Sequence, residues 1–489
     1  MIKKMYLSTV LFFSATFSLF AQERCGFSAD IQSIEAINPT FKSHIESFRN
    51  SLQSRADAQK ALNSLTEKPS YYQAPVPVIF HIAVDSYQYR LIGGIAGIQQ
   101  RCDSQIAVLN RDYNAQNPDS VEIPSLWKPY YANVGIHFGL ARIDPNGNST
   151  PGYELKIIND SGFKAGSASG KTYADKYPDA KHASLGGFDA WDVTRYANVW
   201  CFNFADNPGI LGCTVPKSWT PAGGCDTSTG LNCPDNNHQG ICINYECLGK
   251  RSSPSDNFPL NTSSGNYLDE GRTLTHEFGH LFEIWHVWGD DGNLCPWSDT
   301  TTCSYKGGIS VLNDLPPQGG FTNGNPPYTI AGGTVHDNCM NECSYPMQPI
   351  GKACLDFLDY TDDQGMHLFT PDQAAVMQSM IARVGGENFD LVRYPELTAG
   401  VPQFNSPQAI EVQIAPNPTT GTISILFDNN KYDLKSIAVY NMLGQAVYKT
   451  VDCKGYDFFK IDLSTFAKGI YSVQCNFANG TVTRKVLLQ

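Results

Sequence analysis

Four closely spaced residues carry the clearest chemical signal in this sequence. His276 and His280 are four positions apart, Glu277 lies between them, and His286 follows six positions later. Residues four apart share one face of a helix, so both imidazoles can reach one zinc ion while the carboxylate lies beside a zinc-bound water. Catalytic zinc takes three protein ligands and keeps one open position, and His286 supplies the third ligand. The pattern predicts a catalytic zinc site with Glu277 as general base; structural histidines in a buried helix are the alternative.

The third histidine sets a condition on the backbone. If the helix continued beyond His280, His286 would be rotated by roughly 120° and displaced by about 9 Å along the axis, too far to bind the same ion. The helix must therefore end between them and turn back, which a glycine in left-handed conformation does at little cost. Because Glu283 occupies that position, we expect a turn strained by about 1–2 kcal/mol.

The segments around this motif indicate an α+β catalytic domain. Apolar, β-branched runs predict buried strands, and apolar residues at helical spacing predict the helices that cover them. We expect strands at 76–84, 134–143 and 198–204 and helices at about 95–113, 270–282 and 370–383. The predicted domain is a twisted mixed sheet with an active-site helix and a backing helix. Its lower half is expected to be loop-rich and disulfide-bonded, since the intervening stretches are rich in Gly, Pro and Cys.

Composition and the amino terminus predict an exported protein. The 489 residues include 35 basic and 47 acidic side chains, a net charge of −12, whereas nucleic-acid-binding proteins show a basic footprint. Residues 1–21 join an early Lys3-Lys4 pair to a short apolar stretch that ends in a small residue, the pattern of a signal peptide. A membrane anchor is the alternative, but the run is shorter than the roughly 20 residues that a span needs. We expect a secreted chain with no stable membrane span and no nucleic-acid partner.

Changes in composition divide the rest of the chain. Residues 22–72 are polar and helical in pieces, and we interpret them as a pro-segment with little core of its own. The catalytic domain is predicted at 73–395, and a linker containing Gly, Pro and Ser at 396–410. Short alternating strands separated by turn residues then predict a small all-β sandwich at 411–489.

The residues around the zinc motif resemble the metzincin metallopeptidases, and within them the pappalysin family. The metzincin motif is HExxHxxGxxH, and this chain departs from it at Glu283. The resemblance covers about residues 73–390, with these matching stretches: IFHIAV, QIAVLNRDYNAQN (105–117), IHFGLARIDPNG (136–147), DAWDVTRYANVWCF (189–202), GRTLTHEFGH (271–280), HVWGD (286–290) and DFLDYTDDQGMHLFTPDQ (356–373). It implies a zinc endopeptidase that hydrolyses protein or peptide substrates, with Glu277 taking a proton from the attacking water.

The same resemblance implies roles for the DYTDD segment. Leu358 stands where the family's Met-turn has methionine, an apolar replacement of similar size. Tyr360 would be a mobile zinc ligand or would hydrogen-bond the oxyanion; a buried core tyrosine is the alternative. Cleavage before a basic residue is common in the family. Asp359, Asp362 and Asp363 are candidates for the recognising charge, for turn formation or for calcium binding.

One catalytic Zn²⁺ and structural Ca²⁺ are the implied cofactors. Pappalysin-like enzymes bind structural calcium, and the loops GDDGN (289–293) and NDLPP (313–317) offer carboxylate oxygens. Neither loop matches a defined calcium motif, so the calcium prediction depends on the resemblance.

Arg24-Cys25-Gly26 resembles the cysteine switch of metzincin zymogens. A thiolate is a strong zinc ligand, so Cys25 would fill the open position until the pro-segment is removed. The odd number of cysteines, 15, supports one unpaired thiol. The alternatives are that Cys25 pairs with Cys102 or is simply left over. For the others, export favours disulfides over a second zinc site, and their pairing stays open. The closely spaced cysteines that suggest such a site are Cys242/Cys247 and Cys339/Cys343.

The last domain resembles the sorting domain of cargo for the type IX secretion system. The resemblance rests on APNPTTGTISI (415–425), VYNMLGQAVY (439–448), IDLSTFAKGIYSV (461–473) and the terminal KVLLQ. It implies the secretion machinery as a partner, passage across an outer membrane and later removal of the module, with release or attachment at the cell surface. A carbohydrate-binding or adhesive sandwich is the alternative.

These observations favour a secreted zinc endopeptidase made as a latent zymogen, with a preference for a basic P1′ residue. A catalytically weak or inactive metzincin-fold surface binding protein is the alternative, suggested by Glu283 and Leu358. The retained Glu277 favours the enzyme, since a pseudoenzyme often loses its general base. A gluzincin-type site with a distant glutamate as third ligand is disfavoured by His286. Oligomeric state is not indicated by the sequence.

Overall fold

The structure is a computed structural model. It describes residues 24–28, 31, 39–64, 74–166, 175–206, 209–220, 236–251, 268–290, 297–299, 304–305, 312–316, 321–322, 324, 352–382, 386–399, 412–427, 434–451, 458–478 and 480–489. The predicted signal peptide at 1–21 lies outside these residues, as does the linker from residue 400 onward. Seven cysteines also lie outside them: Cys225, Cys233, Cys295, Cys303, Cys339, Cys343 and Cys453.

Both helices and strands occur in the first four-fifths of the described chain, and strands alone follow. The helices are α1 (Pro39–Asn63), α2 (Ser86–Ile92), α3 (Gly94–Tyr113), α4 (Arg272–Leu281), α5 (Pro371–Met380) and α6 (Glu396–Ala399). The strands before α5 are β1 (Val76–Val84), β2 (Phe138–Leu140), β3 (Tyr153–Ile157), β4 (Ala197–Phe202), β5 (Gly212–Val215), β6 (Gly240–Asn244), β7 (Trp297–Asp299) and β8 (Ser304–Tyr305). None of the described helices combines the length and apolar character that crossing a bilayer requires.

A mixed sheet forms the centre of the catalytic domain. Strand β1 pairs in parallel with β2, β3 and β4, β4 pairs in parallel with β6, and β5 closes the order antiparallel to β6. Every residue of β1 and β4 is buried, as expected for near-continuous apolar strands covered on both faces. The predicted mixed sheet is confirmed, and it places β5 beside helix α4.

The strand expected at 134–143 is shorter than predicted, because helix α3 binds part of its backbone. The side-chain amide of Asn114 donates to the carbonyl of Ile136 at 3.0 Å. The amide oxygen of Asn110 accepts from the backbone N–H of Phe138 at 2.9 Å. These side chains bind backbone N–H and C=O groups that would otherwise pair with a neighbouring strand. Only Phe138–Leu140 remains as strand β2.

Residues 39–63 of the predicted pro-segment form one long helix, α1, which packs against α5. Its buried apolar residues are Phe41, Ile45, Leu52 and Ala56. Arg55 forms an ion pair with Glu387 at 2.8 Å, and Lys60 forms another with Asp372. The helix therefore buries its apolar face on the catalytic domain, consistent with a segment that has little core of its own.

Two antiparallel sheets form the C-terminal domain, as the alternating strands predict. The strands are β9 (Val412–Ala415), β10 (Thr422–Phe427), β11 (Leu434–Tyr440), β12 (Ala446–Thr450), β13 (Phe458–Asp462), β14 (Gly469–Phe477) and β15 (Gly480–Leu488). One sheet has the order β13-β10-β9 and the other β12-β11-β14-β15. Residues of both sheets share one apolar core, which is the arrangement of a β-sandwich. Of the predicted linker, residues 396–399 form α6, in which Leu397 is buried.

Candidate active site

Helix α4 carries the first three residues of the zinc motif on one buried face. His276, Glu277 and His280 are all at most 4% exposed. The helix starts after Gly271, whose φ of 77° is left-handed. The carboxylate of Asp363 accepts hydrogen bonds from the backbone N–H groups of Arg272 and Glu270, so it caps the helix from a distant segment. This cap fixes the amino end of α4 against the segment that contains Leu358 and Tyr360.

The chain turns sharply after α4, at the position that the spacing of the histidines predicts. Glu283 has a φ of 68°. The backbone N–H of Glu283 donates to the carbonyl of His280, and that of Ile284 donates to the carbonyl of Gly279, both at 2.9 Å. This left-handed turn reverses the chain and returns His286 to the other two histidines.

The side chain of Glu283 is bound in a way that compensates the strained turn. Its carboxylate accepts hydrogen bonds from the N–H of Ser218 at 3.0 Å and from the Ser218 hydroxyl at 2.6 Å. Glu283 is 2% exposed, and burial raises the pKa of its carboxyl to about 7. The stabilising free energy of two buried hydrogen bonds is of the same order as the strain energy of a non-glycine residue at positive φ.

The three imidazoles converge through their Nε2 atoms. The Nε2 atom of His276 lies 3.1 Å from that of His280 and 3.2 Å from that of His286, and the third distance is 3.1 Å. Each outer Nδ1 atom faces an acceptor: His276 faces the Phe357 carbonyl at 2.7 Å, His280 the Ile284 carbonyl at 2.6 Å and His286 the Asp290 carboxylate at 2.6 Å. Each Nδ1 atom therefore carries the proton, and three Nε2 lone pairs point at one another.

This arrangement fits a zinc ion. Lone pairs at such distances repel unless a cation lies between them, and acceptors on the outer nitrogens are typical of histidines that bind metal. Burial lowers the pKa of His276 to about 3 and that of His280 well below its usual value, so both rings are neutral, as ligands must be. Within the described part of the chain, one cluster of His, Cys and carboxylate side chains meets the geometry for a metal: these three histidines together with Cys25.

Glu277 lies beside this cluster and is 1% exposed. The hydroxyl of Thr214, on β5, lies 2.6 Å from its Oε2 atom. A Cβ atom at Gly212 would lie 2.4 Å from its Oε1 atom, so the carboxylate packs directly against the edge of β5. Strand β5 thus contacts both carboxylate oxygens of the predicted general base.

The segment around Leu358 packs beneath the histidines. Leu358 is fully buried, and its Cδ2 atom would lie 3.0 Å from a Cβ atom added at Gly279 of α4. Tyr360 is 1% exposed, and its hydroxyl donates to the carbonyl of Cys25 at 3.1 Å. Its ring lies 5.1 Å from the ring of His286. The tyrosine is thus buried and lies beside the predicted metal ligands, and its catalytic role stays a prediction.

The three candidate carboxylates have different partners. Asp359 accepts from the N–H groups of Thr322 and Tyr360, and Asp363 caps α4. Burial raises the pKa of Asp359, and that of Asp363 to about 7. Asp362 instead forms an ion pair with Arg24 at 2.7 Å, with both side chains less than a tenth exposed. Asp359 and Asp363 therefore order the backbone, and Asp362 binds a cation.

Residues 24–28 of the pro-segment cover the histidines. The sulfur of Cys25 and the three Nε2 atoms all lie within 4.8 Å of one another. Cys25 forms a parallel bridge with Gly212, and Gly26 donates to the Gly212 carbonyl at 2.9 Å. The ring of Phe27 stacks on that of His280 at 4.0 Å. The segment therefore adds to the edge of β5 and fills the space above the metal ligands.

Two carboxylates expected in calcium loops have other partners. Asp290 of the GDDGN loop accepts from both the backbone N–H and the Nδ1 atom of His286. Asp314 of the NDLPP loop accepts from the Thr370 hydroxyl at 2.9 Å and from the Asp372 N–H at 2.7 Å, at the start of α5. The Asp290 carboxylate thus orients a histidine, and the Asp314 carboxylate caps a helix. The rest of the two loops, residues 291–293 and 317, lies outside the described residues.

Five described cysteines of the catalytic domain do not form the expected disulfides with one another. Cys102, Cys201, Cys242, Cys247 and Cys354 carry free thiols. Each is at most 2% exposed and packs as a small apolar side chain in a core. Desolvation raises the thiol pKa of Cys102, which keeps this thiol protonated and unreactive. Cys102 is not bonded to Cys25, the alternative partner that the sequence left open.

Sequence reasoning missed Thr214, Ser218, Ser28 and Asp290 as parts of this site. Ser28 donates to the Asp290 carboxylate and lies 3.2 Å from the Nδ1 atom of His286. The first three of these residues lie far from the zinc motif in sequence, so no spacing rule could identify them. Asp290 could have been suspected, because metal-binding histidines commonly donate their outer N–H to a carboxylate and Asp290 is only four residues from His286.

Comparisons with known proteins agree with both domains. Residues 413–489 match the family model of a secretion system C-terminal sorting domain. A solved structure of a Tannerella forsythia promirolysin variant aligns with 77% of this chain, and the alignment includes 99% of that structure's chain. The two are 27% identical in sequence, with a TM-score of 0.56. Mature mirolysin of the same organism, in complex with a cleaved peptide, is 30% identical over 68% of this chain and 99% of that one, with a TM-score of 0.49.

Curated sequences give a more local match. An extracellular metalloprotease of Arthroderma benhamiae is 29% identical over 138 residues, which is 27% of this chain. The match spans 38% of the length of that fungal protein.

Proposed function

Because the chain belongs to the metzincin-type metallopeptidases and carries a C-terminal sorting domain, we propose that it is a zinc endopeptidase made as a latent zymogen. The observation that carries this proposal is the convergence of three histidine Nε2 atoms beside a buried glutamate, with a cysteine sulfur on the open side. The chain is a secreted protein, as its type IX sorting domain indicates. We propose the pappalysin family as the subgroup, on the basis of the stretches that resemble it.

In the proposed mechanism, His276, His280 and His286 hold the zinc ion and Glu277 moves the protons. Bound zinc would lower the pKa of a water molecule toward about 7 and polarise the scissile carbonyl. Glu277 takes a proton from the attacking water and later gives it to the leaving amine nitrogen, so the peptide bond is replaced by a carboxylate and an amine. The hydroxyl of Tyr360 donates to the Cys25 carbonyl in the structure, and it would donate to the oxyanion once that segment has left.

The proposed latency rests on two positions that the pro-segment occupies, the fourth metal position and the edge of β5. Cys25 would give its sulfur to the position that substrate and water need. The N–H of Leu211 and the carbonyl of Gly212, which a substrate backbone would use at the edge of β5, are bound to Arg24 and Gly26. Removal of the segment would free the metal position and this edge together.

The Arg24–Asp362 ion pair supports a preference for a basic P1′ residue. Both side chains are less than a tenth exposed, and loss of Arg24 would leave the Asp362 carboxylate buried without its cation. An uncompensated buried charge is costly, so a basic substrate side chain would restore a favourable pair. Structural calcium remains a prediction from the resemblance, since Asp290 and Asp314 have the protein partners described above.

The alternative of an inactive binding protein rested on Glu283 and Leu358. Glu283 makes the required turn and is held by Ser218, and Leu358 fills the space beneath α4. Neither replacement displaces a metal ligand or Glu277. These contacts favour the enzyme.

The test uses the full chain and its Glu277→Ala variant, both treated with a processing protease. We expect about one zinc ion per chain in both proteins, and cleavage of a diverse peptide mixture by the wild type alone. Zinc content is measured by plasma mass spectrometry and cleavage by peptide mass spectrometry. Zinc without Glu277-dependent cleavage would favour the binding protein, and absence of zinc would contradict the metal site.

A further inference from the structure

We propose that Thr214 is a positioning residue for the general base: its hydroxyl holds one oxygen of the Glu277 carboxylate, and the other oxygen is thereby aimed at the reaction centre. This inference rests on the proposed peptidase function and adds to it a residue outside the zinc motif. Thr214 lies on β5, the strand that ends the sheet order beside α4.

The contact is short and completely buried. The Oγ1 atom of Thr214 is 2.6 Å from the Oε2 atom of Glu277 and 3.2 Å from its backbone oxygen. Thr214 is 0% exposed and Glu277 is 1% exposed. A hydroxyl that donates to a carboxylate forms a charge-assisted hydrogen bond, which is stronger than a neutral one and restricts the rotation of the carboxylate.

Gly212 defines the position of the other carboxylate oxygen. Residues two apart on a strand share a face, so Gly212 and Thr214 both face Glu277. A Cβ atom at Gly212 would lie 2.4 Å from the Oε1 atom and 2.6 Å from the carboxyl carbon. The absence of a side chain at Gly212 therefore lets the carboxylate lie flat against the strand, with Oε2 on Thr214 and Oε1 beside Gly212.

Oε1 lies on the side from which substrate must enter. Gly212 is the residue that bridges to Cys25 of the pro-segment, so the space beside Oε1 is next to the blocking segment. When this segment leaves, Oε1 becomes the oxygen that a water molecule can reach. Thr214 stays in place, because β5 is paired with β6 within the sheet. A base whose second oxygen is already fixed needs no reorientation in the transition state.

The kinetic test compares Thr214→Val with Thr214→Ser in the full chain after processing. Valine keeps the shape of threonine but cannot donate, so we expect kcat to fall on the order of tenfold to a hundredfold. KM should stay within about twofold, because Thr214 is placed to act on the base and not on the substrate. Serine retains the hydroxyl, so its kcat should return to within about threefold of the wild type. Wild-type kcat in Thr214→Val, or an equal loss in both variants with full zinc content, would overturn the proposal.

A structural measurement separates this inference from the proposed function. Crystal structures of the full-length wild type and Thr214→Val report the position of the Glu277 carboxylate without any turnover. We expect Oε2 to contact the hydroxyl in the wild type and the carboxylate to rotate away in the variant. An unmoved carboxylate would overturn the positioning role even if the enzyme is active. Failure of the wild type to cleave any peptide would overturn the proposed function and leave this structural result standing on its own.

Discussion

The three histidines of the proposed metal site are held on two sides: by the catalytic domain on one, and by a segment that we propose is removed on the other. On the inner side, the Phe357 carbonyl, the Ile284 carbonyl and the Asp290 carboxylate bind the three Nδ1 atoms, and all three belong to the catalytic domain. On the outer side, Cys25 and Phe27 of the pro-segment lie against the Nε2 atoms and rings. The difference supports the proposal that the domain builds the ligand geometry and that the pro-segment controls access to it. Removing the pro-segment should therefore open a site that is already formed.

The largest effect is expected at Cys25. In unprocessed protein, Cys25→Ala should cleave peptides at least about tenfold faster than the wild type, because no sulfur then occupies the fourth position. Hydrolysis of a quenched fluorescent peptide measures this rate. Cys102→Ala is the matched control, since it removes another buried thiol and should remain latent. Equal activation by both variants would instead indicate that the two cysteines act as a pair.

Asp362→Asn tests whether Arg24 occupies the proposed pocket for a basic substrate side chain. In processed protein, Asp362→Asn should lower kcat/KM for peptides with Arg or Lys after the scissile bond by roughly threefold to tenfold, because the buried charge partner is lost. Peptides with an apolar residue there should change little. Asp359→Asn is the control, since Asp359 binds backbone N–H groups and should not alter the preference. An unchanged ratio between basic and apolar peptides in Asp362→Asn would remove Asp362 from the pocket.

Substitutions at Glu283 test the turn that brings His286 to the other two histidines. Glu283→Ala retains the positive φ and loses the two bonds to Ser218, so the full chain should unfold more easily by roughly 1–3 kcal/mol. Glu283→Gly loses the same bonds but relieves the strain, and it should be more stable than the alanine variant by about 1 kcal/mol. Denaturant unfolding followed by fluorescence measures both. Equal stability of the two variants would show that the turn is not strained.

A smaller effect should appear in the pH dependence of stability. The pKa of Glu283 is raised from 4.5 to about 7 by burial, so the folded state binds more protons than the unfolded state between these values. Its contribution is fully present below about pH 4.5 and is lost as the pH rises through about 7, by up to roughly 3 kcal/mol. Glu283→Gln should therefore flatten the decline relative to the wild type in unfolding measurements at a series of pH values. Glu122→Gln, at an exposed position, should leave the slope unchanged.

Residue spacing and apolar periodicity were sufficient to predict the parts of the fold and site whose residues are close in sequence. The spacing of His276, His280 and His286 predicts both the converging rings and the reversal at Glu283, and the structure has that reversal at a φ of 68°. The apolar run at 76–84 predicts β1 with correct bounds. In these cases the physical constraint acts over a few residues, through helix geometry or strand periodicity.

Contacts between distant segments could not be predicted in this way. Thr214 and Ser218 reach Glu277 and Glu283 because β5 lies next to α4, and this adjacency depends on the pairing of the whole sheet. The partner of Asp362 is an arginine more than three hundred residues earlier. Nothing in the local pattern distinguishes Asp362 from Asp359 or Asp363, so all three remained candidates until their partners were known.

X-ray absorption at the zinc edge tests the central claim most directly, with the unprocessed full chain and its Cys25→Ala variant as samples. The account predicts three nitrogen ligands at about 2.0–2.1 Å and one sulfur ligand at about 2.3 Å in the unprocessed protein. In Cys25→Ala, and in the processed wild type, the sulfur should be replaced by oxygen while the three nitrogens remain. Zinc with no sulfur ligand in the unprocessed protein, or loss of histidine ligands when Cys25 is removed, would contradict a site that is built by the domain and only covered by the pro-segment.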